Sequence, residues 1–191
     1  TGRPKGVAVP HRAVVGLLEA MQRVLPLGPG DVFLALTTFA FDISVLELFL
    51  PLTRGAQLLI ADREQALDSK RLAAAIAQRG VTAMQATPAT WSMLVDSGWE
   101  GAPTMSALCG GEALAPTLAA ALHARCAQVW NVYGPTETTI WSSFDLVRRD
   151  APVSIGHALA NNSLYLLDPL LEPLPPGMVG EIWIGGEGVS H

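Results

Sequence analysis

Cysteine is scarce in this chain. Two residues in 191, Cys109 and Cys126, exclude a disulfide framework and suit a reducing compartment, so a cytoplasmic location is expected. Positive charge is also in short supply: 12 Lys and Arg against 17 Asp and Glu give a net charge of −5, and no basic face is available to recruit nucleic acid. The four histidines, His11, His123, His157 and His191, fall at no metal-ligand spacing, and neither do the cysteines. No Gly-x-Ser-x-Gly elbow is present, which removes the simplest signature of a serine hydrolase. Internal repeats and low-complexity linkers are absent too. What remains is 50% hydrophobic with 15% charged residues, a composition that supports one packed domain of ordinary size and excludes intrinsic disorder.

One apolar run, Val32 to Leu52, is long enough to cross a bilayer. Asp42 and Glu47 interrupt it near the middle, where charge is costly, and no Lys or Arg cluster flanks it, so a membrane span is not expected. The first residues do not form a signal peptide and include no initiator Met; the chain reads as a piece of something longer.

Periodicity gives the architecture. Pro10 opens a helical stretch carrying Val14, Leu17, Leu18, Met21 and Leu25. Strands are expected at 32–36, 57–60, 82–85, 106–109 and 128–133. Helices are expected from Asp42 or Ser44 to Thr53, from Asp68 or Ser69 to Arg79, from Pro88 to Val95 and from Ala115 to Ala124. This alternation predicts an α/β fold, a doubly wound and mostly parallel sheet with helices on both faces. After residue 140 the pattern changes. Segments 141–147, 164–167 and 181–184 read as strands with no helix between them, which predicts a separate antiparallel sheet. Residues 1–140 are thus the α/β part and 141–191 a β-rich continuation of the same domain.

Ligands of an open parallel sheet bind outside the carboxyl ends of its strands. Four polar or glycine-containing segments belong there: Thr38 to Ser44, Gln85 to Thr87, Gly110 to Glu112, and Asn131 to Thr139. The last is the densest, with an amide, an aromatic face, a Gly-Pro turn, three hydroxyls and one carboxylate. Hydroxyls beside a glycine turn suit a phosphate, and a lone carboxylate suits Mg²⁺, which keeps most of its water. A polar turn closing the sheet would have the same composition. Thr1-Gly-Arg-Pro-Lys-Gly6 offers backbone N–H groups and a lysine to a phosphate but is no Walker A sequence. Cys109 beside two glycines reads as a small buried hydrophobe rather than a nucleophile.

Taken in order, TGRPKG (1–6), FDIS (41–44) with the following VLELF, NVYGPTETT (131–139) and GEIWIGGEG (180–188) resemble the adenylate-forming enzymes, most closely the adenylation domains of nonribosomal peptide synthetases. The resemblance covers nearly the whole chain and places it in the central part of the large N-terminal domain. The upstream half of the family's phosphate loop is missing, as are its ribose-binding Asp motif, hinge and small C-terminal domain. The resemblance implies ATP-dependent activation of an amino acid as aminoacyl-AMP, then transfer to phosphopantetheine on a peptidyl carrier protein beside condensation domains; the piece alone is expected to be inactive.

By the same resemblance, Glu137 would hold Mg²⁺ and Thr136 the α-phosphate, with Lys5, Thr1 and Gly2 near the phosphates. Tyr133 would lie against adenine, Asn131 would bond its amino edge, and Gly111 and Gly134 would let backbone approach the nucleotide. Asp42 would pair with the substrate's α-ammonium; a helix cap is the alternative for that carboxylate. The family's pocket-lining positions map to Asp42, Ile43, Leu46, Gln85, Leu108, Gly110, Val132, Ile140 and Trp141, with Ala86 the alternative to Gln85. Trp141 and Ile43 leave room for a very small side chain, and the combination is similar to the family's pattern for glycine. An acyl- or aryl-CoA ligase of the same superfamily is the nearest rival, with Asp42 as discriminator, and a non-catalytic nucleotide-binding module is the next.

Overall fold

The computed structural model describes residues 5–191. Helix α1 (His11–Val24) follows Pro10, and strand β1 (Val32–Ala35) leads through a turn into α2 (Ser44–Thr53) and β2 (Gln57–Ile60). A short helix, α3 (Arg63–Leu67), precedes α4 (Ser69–Arg79). The sequence reading missed α3, whose start is a capping box: Asp62 accepts from the Gln65 N–H while the Gln65 side chain accepts from the Asp62 N–H. Asp68 then caps α4 by accepting from the N–H groups of Lys70 and Arg71. β3 (Ala83–Ala86), α5 (Pro88–Asp96), β4 (Ala102–Cys109), α6 (Pro116–His123) and β5 (Cys126–Tyr133) complete the alternation, with a proline in the first turn of α5 and of α6, where no N–H is needed.

A 3-10 turn (Thr136–Thr138) separates β5 from β6 (Ser143–Leu146), and β7 (His157–Ala158), β8 (Asn162–Leu167) and β9 (Glu181–Gly186) follow. The main sheet has the order β2-β1-β3-β4-β5-β6-β7, parallel from β2 through β5. Strand order reverses at β1, which neighbours both β2 and β3, so the switch point of the sheet lies between β1 and β3. Adjacent residues of each strand serve opposite faces. Phe33, Ala83 and Leu108 pack with α1 and α2, while Leu34, Met84 and Ala107 pack with α4, α5 and α6. Gln85 shares its face with Ala83, so its side chain is directed to the α2 side.

The tail departs from the sequence expectation in part. Only β8 and β9 form a separate antiparallel sheet. β6 instead pairs antiparallel with β5, from Trp130↔Leu146 to Tyr133↔Ser143, and β7 extends the same sheet. The chain doubles back after Gly134, with the Ser142 N–H donating to the Tyr133 carbonyl at 2.8 Å, which brings β6 to the edge of β5 and satisfies backbone groups that would otherwise be unpaired. Among the described residues, no helix is long and apolar enough to cross a membrane; the run 32–52 is divided between β1 and α2.

The β6–β7 turn depends on one glycine. Gly156 has φ +69°, and a Cβ there would lie 2.1 Å from the Phe144 carbonyl oxygen and 2.6 Å from the Asp145 Cβ. Gly156→Ala is expected to destabilise by at least about 1–3 kcal/mol, because backbone rather than a flexible side chain must yield. Urea unfolding of the folded full-length protein measures this, and an unchanged midpoint would contradict it.

Candidate functional site

The segment from Gly134 to Ser142 overhangs the carboxyl end of β5 in a conformation most residues avoid. Thr139 and Ile140 have φ of 61° and 70°. A β-branched isoleucine at positive φ is strained and persists only where its surroundings over-determine it. Those surroundings are specific. The Thr139 hydroxyl donates to the Gly188 carbonyl at 2.7 Å, Thr138 and Ser142 share a hydroxyl–hydroxyl bond of 2.6 Å, and the Ser190 N–H donates to the Glu137 carbonyl at 2.8 Å. The strand after Ile140 is thereby aimed so that Trp141 turns inward, where it is 1% exposed.

Trp141 ends against Gly110. A Cβ at Gly110 would lie 2.5 Å from Trp141 Cη2 and 2.7 Å from Val132 Cγ2, so only a glycine admits the indole. Ile43, Leu46, Leu108, Val132, Ile140 and Trp141 belong to one buried cluster. The indole N–H donates to Gln85 Oε1 at 2.8 Å, and Gln85 Nε2 donates to the Ile43 carbonyl and to Glu47 Oε1, both at 3.0 Å. Ala86 packs in the opposite core.

Glu47 is the unexpected member. It sits on the inner face of α2, fully buried. Its carboxylate accepts from the Leu36 N–H at 2.9 Å, the Thr37 N–H at 3.0 Å, the Thr37 hydroxyl at 2.6 Å and Gln85. Burial pushes its carboxyl above the ordinary carboxylate range, and the hydrogen bonds pull it partly back, led by that of the Thr37 hydroxyl. The sequence signal was a carboxylate in a helix apolar on nearly every side, a residue that must find partners.

At the crevice rim, Asp42 precedes α2 but does not cap it. α2 begins after Ile43 with no side-chain cap, and Asp42 Oδ2 instead accepts from the Thr136 hydroxyl at 2.6 Å, joining two segments 94 residues apart. Glu137 is exposed on the 3-10 turn beside them. The salt bridges among the described residues, Arg54–Glu19 and Arg71–Glu64, lie elsewhere. No group of three or more His, Cys, Asp or Glu gathers among the described residues, so a protein cage for a metal is not available there. A single exposed carboxylate fits a cation that draws its other ligands from phosphates and water.

A cleft of about 320 Å³ opens on the far side of β5, lined by Gly111, Glu112, Ala113, Asn131, Tyr133 and Ile155 among others. Asn131 donates from Nδ2 to the Ser154 carbonyl at 2.7 Å. This fixes the amide and directs its oxygen to serve as an acceptor. Ser154 and Ile155 carry no motif, and the sequence reading missed both. Lys5 is exposed; Thr1 and Gly2 lie outside the described residues. Burial pushes the thiols of Cys109 and Cys126 up to about 12, which makes both inert near neutral pH. The structure therefore gathers Asp42, Thr136 and Glu137 at the rim, the Gln85–Trp141 wall below them, and Asn131, Tyr133 and Gly111 around the cleft.

The chain matches the AMP-binding enzyme family over residues 1–191. It is 45% identical over 194 residues to a dimodular nonribosomal peptide synthase of Bacillus subtilis (strain 168), covering all of this chain and 8% of that protein. Phosphinothricin tripeptide synthetase PhsB of Streptomyces viridochromogenes is 40% identical, with all of this chain and 16% of that protein covered. The crystal structure of holo-AB3403, a four-domain nonribosomal peptide synthetase bound to AMP and glycine, superposes with a TM-score of 0.96 at 44% identity, over all of this chain and 14% of that one. The N-terminal subdomain of Klebsiella oxytoca NpsA, in complex with 3-hydroxyanthranilyl-AMSN, superposes with a TM-score of 0.83 at 27% identity, over 99% of this chain and 48% of that one. The chain thus spans a small part of the synthetases it matches. With the cleft at the carboxyl ends of β4 and β5, the Asn131-to-Thr139 segment and the match over residues 1–191 in agreement, the chain belongs to the AMP-binding enzyme family, in the branch of the nonribosomal peptide synthetase adenylation domains.

Proposed function

We propose that this chain forms part of a site that activates glycine as glycyl-AMP, for loading onto the phosphopantetheine of a peptidyl carrier protein in a synthetase that also carries condensation domains. Residues 1–140 supply the α/β part of that domain and 141–191 its β-rich continuation. The carrying observation is the contact of Trp141 with Gly110, which fills the space above β4 that a larger amino-acid side chain would need. The glycine- and AMP-bound relative, 44% identical, supports the same reading.

Adenylation requires a substrate carboxylate and the α-phosphorus of ATP to be held in line, with their charges offset; it needs little acid–base help. Asp42 offers a carboxylate to the ammonium. The Thr136 hydroxyl, which donates to Asp42 in this structure, has one proton to give and would turn it to the α-phosphate once the ammonium occupies Asp42. Asn131 accepts from the adenine amino group, Tyr133 covers the ring, Gly111 admits the nucleotide to the backbone, and Gly134, where a Cβ would lie 2.5 Å from the Ile140 carbonyl oxygen, lines the same cleft while letting the chain turn back. Lys5, Thr1 and Gly2 serve the phosphates. Glu137 would hold Mg²⁺, which when bound supplies positive charge to the phosphate oxygens.

Substrate size is the test. In the full-length protein, amino-acid-dependent pyrophosphate exchange is expected to favour glycine over alanine by roughly 10–200-fold, the range a single methylene commands. Trp141→Gly is expected to raise activity with larger apolar amino acids while glycine is still bound through Asp42. Preference of the unmodified protein for phenylalanine or leucine would overturn the glycine reading and leave adenylation standing. Activity with deaminated acids alone would favour an acyl- or aryl-CoA ligase.

A further inference from the structure

We infer that Glu47, buried behind the pocket wall, is a positioning residue for substrate choice: through Gln85 it holds the Trp141 indole against Gly110 and so sets the size of the amino-acid pocket. This rests on the reading that Trp141 bounds that pocket.

An amide such as that of Gln85 has nearly the same shape either way round, so its orientation is decided by its partners. Gln85 Nε2 has two acceptors, the Ile43 carbonyl and Glu47 Oε1, both at 3.0 Å, and this leaves Oε1 to accept from the Trp141 indole at 2.8 Å. Turned over, the amide would set its NH₂ against the indole N–H and its oxygen against the Ile43 carbonyl. Glu47 is itself locked, because Oε2 takes the two backbone N–H groups at the end of β1 and Oε1 takes the Thr37 hydroxyl.

Glutamine at position 47 would break this order without changing the volume. Its oxygen must serve the Leu36 and Thr37 N–H groups, so its NH₂ must face Gln85 Nε2. Thr37 can rotate its hydroxyl to accept, but Gln85 can respond only by turning over. The indole N–H then meets another donor in a buried site, and a buried unpaired donor is costly enough to drive the ring from its place.

The test is pyrophosphate exchange by the full-length protein, comparing kcat/KM for alanine and glycine. Glu47→Gln is expected to raise the alanine-to-glycine ratio about tenfold, within the range that one methylene commands. Glu47→Asp keeps the charge but withdraws it from Gln85, and should move the ratio in the same direction. Trp141→Phe keeps a ring without an N–H; in that background Glu47→Gln should change the ratio by less than about twofold, since its route is gone. The ratio does not depend on the fraction of enzyme folded, so a purely structural role would leave it unmoved. An unchanged ratio in both Glu47 variants, a full effect in the Trp141→Phe background, or failure of both variants to fold would each overturn the inference. If Trp141→Gly broadens the substrate range while Glu47→Gln leaves the ratio alone, only this inference falls. If Trp141→Gly broadens nothing, the pocket reading falls first.

Discussion

Replacing Asp42 by alanine is expected to cost amino-acid activation far more than activation of the same acid lacking its amino group. The expected loss is about 2–5 kcal/mol, the range for truncating one partner of a desolvated charge pair. In kcat/KM this is roughly thirty-fold to several-thousand-fold. The local electrostatics make the carboxylate necessary. Asp42 stands just ahead of α2, whose N-terminal end carries partial positive charge and by itself repels an ammonium. The Asp42 carboxylate reverses that sign. Its only hydrogen bond from a side chain among the described residues comes from the Thr136 hydroxyl, so removing it does not leave a helix uncapped. The expected result is therefore a kinetic defect without a large stability defect. Pyrophosphate exchange with glycine and with acetate, alongside thermal unfolding, measures both. Equal losses for the two acids would reduce Asp42 to an anchor for Thr136.

The parts of the molecule legible in the sequence are those whose causes are local. α4 was legible to within a residue because Asp68 caps its start and Gly80 follows its last turn, and β1 and β2 likewise because short apolar runs sit between turn residues. The partner of β6 was not local information. Segment 141–147 reads as a strand by itself, but its place beside β5 follows from the return at Gly134 and from the positive φ of Thr139 and Ile140, which no propensity favours. The site divides the same way. Glu137 and Asn131 stand in one dense polar motif, and Asp42 is a carboxylate set in an apolar run. Gln85 could be separated from Ala86 only by knowing which face of β3 looks toward α2. Glu47 was visible as an interruption in an apolar run, yet its four hydrogen bonds come from Leu36 and Thr37, just past the end of β1, and from Gln85 on β3, segments that only the sheet order brings together against α2.

Glu137→Gln is expected to abolish most adenylation while leaving the fold intact, and the local structure explains why the two separate. The turn that presents Glu137 is held by groups other than its carboxylate: the Ser190 N–H on the Glu137 carbonyl, the Thr138–Ser142 hydroxyl pair, and the Thr138 N–H on the Pro135 carbonyl at 3.0 Å. The side chain itself is exposed, and exposed substitutions away from caps and networks change stability by within about 0.5 kcal/mol. Glutamine keeps the length and shape and loses the charge. A hard divalent cation held by one protein carboxylate and by phosphate oxygens then has no anionic protein ligand. Loss of one preorganised group that stabilises charge at the reacting centre commonly lowers kcat by roughly 10²–10³-fold, and a loss of that order is expected here. The measurement is glycine-dependent pyrophosphate exchange across a magnesium titration, with thermal unfolding as the control. The deficit should be largest at limiting Mg²⁺ and should shrink as magnesium is raised. Unchanged exchange at limiting Mg²⁺, in a variant that unfolds at the same temperature as the parent, would remove Glu137 from the metal site.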